Sequence, residues 1–211
     1  MRRWWQRLRE RSERRAIERR HIPDAIWDLT LARYPFLARR DTGEIGELRR
    51  LSSLFLDSKE FSGAHGLHVS DDMAVAIAAQ ACLPVLRLGL KAYDGFVGIV
   101  VHSDEVQVRR EFVDDDGVVH EYEDVLAGEA MEGGPVMLSW RDVSEAGESA
   151  AWAYNVVVHE FAHVLDMGDG LADGIPPLSG AAEREHWRAV LLEEYDAFCA
   201  QVDAGQDTTL D

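Results

Sequence analysis

The segment NVVVHEFAHVLDMGDG, residues 155–170, contains two histidines and a glutamate at a spacing that suits metal chemistry. His159 and His163 are four residues apart, so on an α-helix they project from one face and could bind one ion. Imidazole nitrogens bind Zn²⁺ at about 2.0–2.1 Å. Glu160 lies beside them and could take a proton from a water that the metal activates. The spacing therefore predicts zinc-assisted hydrolysis of an amide bond.

The alternative interpretation of this motif is a pair of hydrogen-bonded core histidines beside a surface glutamate. Apolar residues around the motif favour a buried active-site helix instead. They are Trp152, Val156, Val157, Phe161 and Val164. An apolar strand is predicted just upstream, where backbone hydrogen bonds could align an extended peptide substrate.

A hydrolytic zinc site needs three protein ligands, and the motif supplies two. Four glutamates of a later charged helix are candidates for the third ligand, although glutamates on such a helix are usually exposed to solvent. They are Glu183, Glu185, Glu193 and Glu194. Asp166, three residues after His163, could accept a ligand histidine's free N–H or bond to the following loop. His65 and His68 share a polar loop and are predicted to have no metal role.

The predicted fold class is α+β, with a helical N-terminal part and a mainly antiparallel or mixed sheet. Apolar residues at spacings of three and four predict helices over residues 44–56 and 73–81, with Ser70 or Asp71 capping the second. A further helix is predicted from Ser149 through the histidine motif, ending at Gly168 or Gly170. A last helix is predicted over about residues 180–201.

The predicted strands lie between these two groups of helices. Residues 96–101 and 136–140 are apolar and short, as expected of buried strands. Residues 106–113 and 118–122 flank the turn sequence DDDG at 114–117, which predicts a β-hairpin.

The charge of the chain is unevenly distributed and excludes some functions. The formal net charge is −17, yet residues 1–50 carry 14 Lys/Arg against 8 Asp/Glu. The remaining acidic body would repel phosphate backbones, so direct nucleic-acid binding is not expected.

We predict a basic tail or helix over residues 1–22 and one domain over residues 23–211. The apolar stretch 73–90 is interrupted by polar residues and does not predict a membrane span. With two cysteines that form no metal-type pair, a cytoplasmic location is expected.

Four blocks of the chain resemble the Mlc titration factor A family of zinc-dependent peptidases. They are residues 82–96, 133–140, 155–170 and 173–178, and the resemblance extends from about Leu54 onward. The resemblance implies a zincin-like metallopeptidase core and a cytoplasmic, Zn²⁺-dependent, aminopeptidase-like activity on peptide substrates. It also implies binding to a transcriptional repressor of the Mlc type, which controls sugar uptake.

Carried over to this sequence, the resemblance implies that His159 and His163 are zinc ligands and that Glu160 is the general base. The family's third ligand is a glutamate in a segment resembling PAEFFAV…SE, near a catalytic tyrosine, and no such segment occurs in these 211 residues. The comparison therefore predicts a chain shortened at its C-terminus, without the family's last helices. The alternative function is a regulatory protein that sequesters an Mlc-type repressor with an incomplete or inactive peptidase site.

Overall fold

The computed structural model describes residues 2–113, 119–152, 154–206 and 208. Its first half is helical and contains five helices in chain order. They are α1 (Arg2–Arg19), α2 (Asp24–Arg33), α3 (Pro35–Ala38), α4 (Thr42–Ser58) and α5 (Asp71–Cys82). The helices predicted over residues 44–56 and 73–81 are α4 and α5. Ser70 is the residue before α5, but its hydroxyl bonds to the Asp72 carboxylate at 2.6 Å rather than to the helix backbone.

Helix α4 begins where Asp41 accepts a hydrogen bond from the Glu44 backbone N–H at 2.8 Å. Such a cap satisfies one of the backbone donors that a helix start leaves unpaired. The Arg-rich segment forms α1, which lies against α4. Arg19 donates two hydrogen bonds to Asp57, at 2.7 and 3.1 Å, and Ala16 is buried. The division between residues 1–22 and 23–211 stays a prediction.

The structure also contains a four-stranded mixed sheet, whose first strand lies between α4 and α5 in the chain. Its strands are β1 (Glu60–Gly63), β2 (Gly98–His102), β5 (Gly128–Ala130) and β6 (Val136–Ser139), in the order β1-β2-β6-β5. Strands β1, β2 and β6 are parallel, and β5 is antiparallel to β6. The mixed form of the predicted sheet is confirmed, whereas a mainly antiparallel sheet is wrong. Strand β1 was not predicted, because its sequence EFSG shows no run of β-branched residues.

The predicted hairpin is present as a separate two-stranded sheet. Strand β3 (Val106–Val113) pairs antiparallel with β4 (Val119–Leu126). The turn sequence at 114–117 lies outside the described residues.

The helix predicted from Ser149 through the histidine motif is wrong at its start. Instead, α6 (Trp140–Ser149) follows β6 directly, a 3₁₀ turn covers Ala150–Trp152, and α7 (Val156–Asp166) begins only after Asn155. The strand predicted to reach residue 140 therefore ends one residue earlier. Asn155 interrupts the helical path because its backbone is extended, with φ −153° and ψ 106°, so that its side chain caps α7. Helix α7 ends at Asp166, two residues before the predicted Gly168, and Gly170, with φ 91°, follows the short 3₁₀ turn Met167–Asp169.

The centre of the core is an aromatic cluster beneath α7. The ring of Phe161 lies 5.7 Å from Phe55, 5.1 Å from Tyr93 and 5.8 Å from Phe96, measured between centroids. Lys59 is buried beside this cluster and donates to the carbonyl oxygens of Tyr93 and Phe96, each at 2.5 Å. Burial lowers the pKa of the Lys59 ammonium. These contacts hold the segment 90–96 against the buried face of α7.

The last helix, α8 (Ala181–Asp203), extends to within a few residues of the predicted range and buries none of its residues. Trp187 donates its indole N–H to the Gly174 carbonyl at 2.9 Å, which fastens α8 to the preceding loop. Cys82, which is buried, and Cys199, which is half-buried, are free thiols. None of the helices in the described part of the chain combines the length and apolar character that a membrane span requires.

Candidate metal centre

Helix α7 is fixed at its first turn by a half-buried polar contact to α5. Asn155 accepts a hydrogen bond from the Val158 N–H at 2.8 Å and donates its own amide to Gln80 Oε1, also at 2.8 Å. Gln80 is fully buried and bonds back to the Ala76 carbonyl at 3.2 Å. Buried amides with several partners hold a single geometry, because losing one leaves a polar group unpaired. The position of α7, and of its side chains, is thus set from α5.

The two motif histidines converge on one point, as their spacing predicted. His159 Nε2 and His163 Nε2 are 3.2 Å apart, and the two rings lie at 83° to each other. Two nitrogens that bind one tetrahedral Zn²⁺ at about 2.0–2.1 Å would be about 3.3 Å apart. Both side chains face solvent. The pair could therefore hold one metal ion with very little movement.

Asp166 lies on the same face of α7, one turn after His163. Its Oδ1 atom is buried and, among the residues that the structure describes, has no hydrogen-bond partner, either from the histidines or from the following loop. Buried polar atoms are rarely left unpaired, because the cost of removing them from water is not recovered. An imidazole N–H oriented by metal binding would supply the missing donor. The donor set and this unpaired oxygen fit a zinc ion.

Glu160 is buried, with 5% of its surface exposed, and faces strand β5. A Cβ atom built on Gly128 would lie 2.7 Å from Glu160 Cγ and 2.8 Å from its Oε1, so this carboxylate packs where only glycine leaves room. Burial raises the pKa of the Glu160 carboxyl, while His163 and a backbone hydrogen bond from Ala130 act in the opposite direction. The alternative of core histidines beside a surface glutamate is wrong, because the two histidines are exposed and the glutamate is buried.

The strand beside the site is β5, not the apolar upstream strand of the prediction. Strand β6 lies inside the sheet between β2 and β5. The Ser139 N–H donates to the Ala127 carbonyl at 2.7 Å, so Ala127 faces β6. Backbone groups of an antiparallel strand alternate between its two edges. Gly128 and Ala130 therefore direct their N–H and C=O groups to the opposite edge, toward Glu160.

The other predicted residues lie apart from this pair. The four candidate glutamates of α8 are exposed, and Glu183 accepts hydrogen bonds from the Ser179 N–H and hydroxyl at 3.2 and 2.6 Å. His65 and His68 are exposed in their loop, and the His65 ring lies 5.7 Å from His102. Among residues 2–113, 119–152, 154–206 and 208, no three His, Cys, Asp or Glu side chains form a group that could hold a metal.

The sequence matches the family described as "Glucose-regulated metallo-peptidase M90" over residues 4–211. The chain belongs to this family. Its relatives in curated collections include a protein from Synechocystis sp., slr2042, which is 34% identical over 187 residues. This match covers 88% of the present chain and 68% of the relative.

Several relatives carry the name Mlc titration factor A, and two of them illustrate the similarity. The protein of Salmonella arizonae is 35% identical over 166 residues, covering 77% of this chain and 65% of its own length. That of Enterobacter sp. is 36% identical over 169 residues, covering 78% and 63%. The resemblance seen in the sequence is thereby confirmed. The chain spans about two thirds of the length of these metallopeptidase-family relatives.

Proposed function

We propose that this chain carries the metal-binding and proton-transfer groups of a zinc-dependent peptidase with an aminopeptidase-like activity. His159 and His163 are the proposed zinc ligands, and Glu160 is the proposed general base, in a zincin-like core. The observation that carries the proposal is the 3.2 Å approach of the two Nε2 atoms beside a buried carboxylate. Membership of a metallopeptidase family supports it.

The zinc ion, when bound, would polarise the peptide carbonyl and activate a water for attack. Glu160 would take the proton from that water and pass it to the departing amine. Its burial raises its pKa, which strengthens it as a base compared with an exposed glutamate. The Ala130 N–H is bonded to Glu160, so the outward-facing groups of Gly128 and the Ala130 carbonyl would align an extended peptide along β5 by strand addition.

The described residues supply two of the three ligands that a hydrolytic zinc site needs. We propose that the third comes from outside them and that Asp166 orients one ligand histidine through its ring N–H. The chain spans about two thirds of the length of its relatives. The activity of the whole protein is therefore also proposed.

Zinc affinity tests the proposed ligands directly. We expect His163→Ala to weaken zinc binding at least about tenfold, since even the loss of a supporting partner costs 10–100-fold. Competition with a chromophoric chelator measures the dissociation constant. His186→Ala, which removes an exposed histidine of α8, is the matched control, and His65→Ala tests the other histidine pair. Zinc binding that His163→Ala leaves unchanged, or that His65→Ala abolishes, contradicts the assignment.

A second candidate function is binding of an Mlc-type repressor, supported by the name of the relatives and by the surface of α8. This helix exposes large apolar side chains, which commonly mark a protein contact. They include Val190, Leu192, Tyr195 and Val202. We expect an immobilised Mlc-type repressor to retain the chain and Tyr195→Glu to weaken retention at least tenfold. If the repressor retains the unsubstituted chain and the Tyr195→Glu variant equally, or retains neither, the result argues against this role.

A further inference from the structure

A cleft of about 680 Å³ lies beside the C-terminal half of α7, and Val164, one turn after Glu160, is part of its wall. We name it the α7 cleft. Four segments form its walls: residues 88–96, residues 131–134, the end of α7 with residues 167–168, and Pro176–Pro177. A volume of 300–1,000 Å³ with mainly apolar walls is typical of ligand pockets.

Two residues of the cleft wall are chain neighbours of groups that would bind and cleave a peptide. Met131 in its wall directly follows Ala130, whose backbone faces Glu160. Val164, also in its wall, directly follows His163. A peptide extended along the outer edge of β5 would therefore reach the cleft about one residue beyond Ala130, since strands rise about 3.3 Å per residue.

The walls of the cleft favour an apolar occupant. Leu88 and Met131 are exposed to 68% and 44%, and Phe96 and Val164 line its interior. Large apolar groups that face a cavity gain free energy when a ligand removes them from water. The charged groups of the wall are Lys91, Asp94 and Glu132. A polar or acidic substrate side chain would therefore meet mostly apolar surface, where the charge of Lys91 is offset by two carboxylates.

We propose that the α7 cleft is the specificity pocket of the site and that it takes a large apolar side chain, of the leucine or phenylalanine class, from a peptide substrate. The proposal rests on the proposed function for the orientation of the peptide. It names a substrate class that the metal-binding motif by itself does not indicate.

The test measures peptide binding without requiring hydrolysis. The ¹⁵N-labelled, metal-free 211-residue chain is titrated with the amides of Ala-Leu-Ala, Ala-Phe-Ala, Ala-Ala-Ala and Ala-Asp-Ala, and dissociation constants are taken from the chemical shifts. We expect the leucine and phenylalanine peptides to bind at least about tenfold more tightly than the other two, since hydrophobic pockets discriminate by 10–200-fold. The perturbed amides should include Ala92, Met131 and Val164.

Two variants alter the cleft and one serves as a matched control. Leu88→Asp places a carboxylate at its mouth, and Ala92→Trp fills it; each should reduce the leucine preference to less than threefold. Leu29→Asp changes a leucine of α2 that is 53% exposed and does not line the cleft, so the preference should persist. Thermal unfolding verifies that each variant is folded, and Leu88→Asp serves alone if Ala92→Trp does not fold.

The outcomes separate this inference from the proposed function. Equal affinity for all four peptides, or a leucine preference that survives Leu88→Asp, overturns the pocket even if the chain binds zinc. A leucine preference that depends on Leu88, in a chain whose histidines bind no zinc, supports the pocket and contradicts the zinc peptidase.

Discussion

Glu160→Gln is expected to reduce peptide hydrolysis at least about 10²-fold while leaving zinc affinity within about threefold of the unsubstituted protein, because a positioned general base contributes roughly 10²–10⁴ in rate. The amide keeps the size of the buried side chain and can still accept a hydrogen bond from Ala130, so the packing against β5 should persist. It cannot take a proton from water. Rate constants and zinc content are measured on the same preparations.

The measurement is made with the 211-residue chain and, where its reading frame is longer, also with the complete product. Glu145→Gln is the matched control, because Glu145 is an exposed carboxylate of α6 that faces solvent. We expect its rate to stay within twofold. If the Glu160→Gln protein hydrolyses peptide at the original rate, Glu160 is not the general base. A protein that binds zinc tightly but cleaves no peptide in either form would remove the peptidase proposal.

The local part of the site could be predicted from sequence because it depends on one helix. The four-residue spacing of His159 and His163 determines that their side chains share a face, whatever surrounds the helix. The 3.2 Å approach of their Nε2 atoms agrees with that expectation. The position of Asp166 on this face follows from the same periodicity, although its burial does not.

The supporting contacts could not be predicted because they join distant parts of the chain. Gln80 bonds to Asn155 across 75 positions, and nothing in the local sequence indicates that partner. One signal was available: Gln80 is a polar residue within an apolar helix, and such residues need an internal partner when buried. The start of α7 was misplaced for a related reason, since apolar periodicity continues through residues 149–152 and does not reveal where a cap ends it.

The approach of Gly128 to Glu160 could not be predicted from the sequence either. It depends on the register of β5 against β6 and on the distance between β5 and α7. Gly128 pairs with Leu138, and its Cα faces the Glu160 carboxylate at a separation that leaves no room for a methyl group. Glycine in a strand often marks a close approach of this kind. The position offers a way to displace the proposed base without altering its chemistry.

Gly128→Ala is expected to reduce hydrolysis by about 10²-fold, because a displacement of about 1 Å at a catalytic group can have that effect. The new Cβ would lie 2.7, 2.8 and 2.9 Å from Glu160 Cγ, Oε1 and Cδ, so the carboxylate must move. We also expect a loss of about 1–3 kcal/mol in the free energy of unfolding, as for other overpacked sites. Zinc affinity should change little, since the histidines project from a different face of α7.

Gly46→Ala is the matched control for the added methyl group. Gly46 is exposed on α4 with no atom within 4 Å of a built Cβ, so alanine there should stabilise the protein by about 0.5–1 kcal/mol.

A double-mutant cycle then identifies the cause of the Gly128 effect. In a Glu160→Ala background the three clashing atoms are absent, and Gly128→Ala should cost almost nothing in unfolding free energy. An equal cost in both backgrounds would mean that Gly128 is required by the strand and not by the carboxylate. A cost that disappears with Glu160 would show that the glycine keeps open the space in which the proposed base lies.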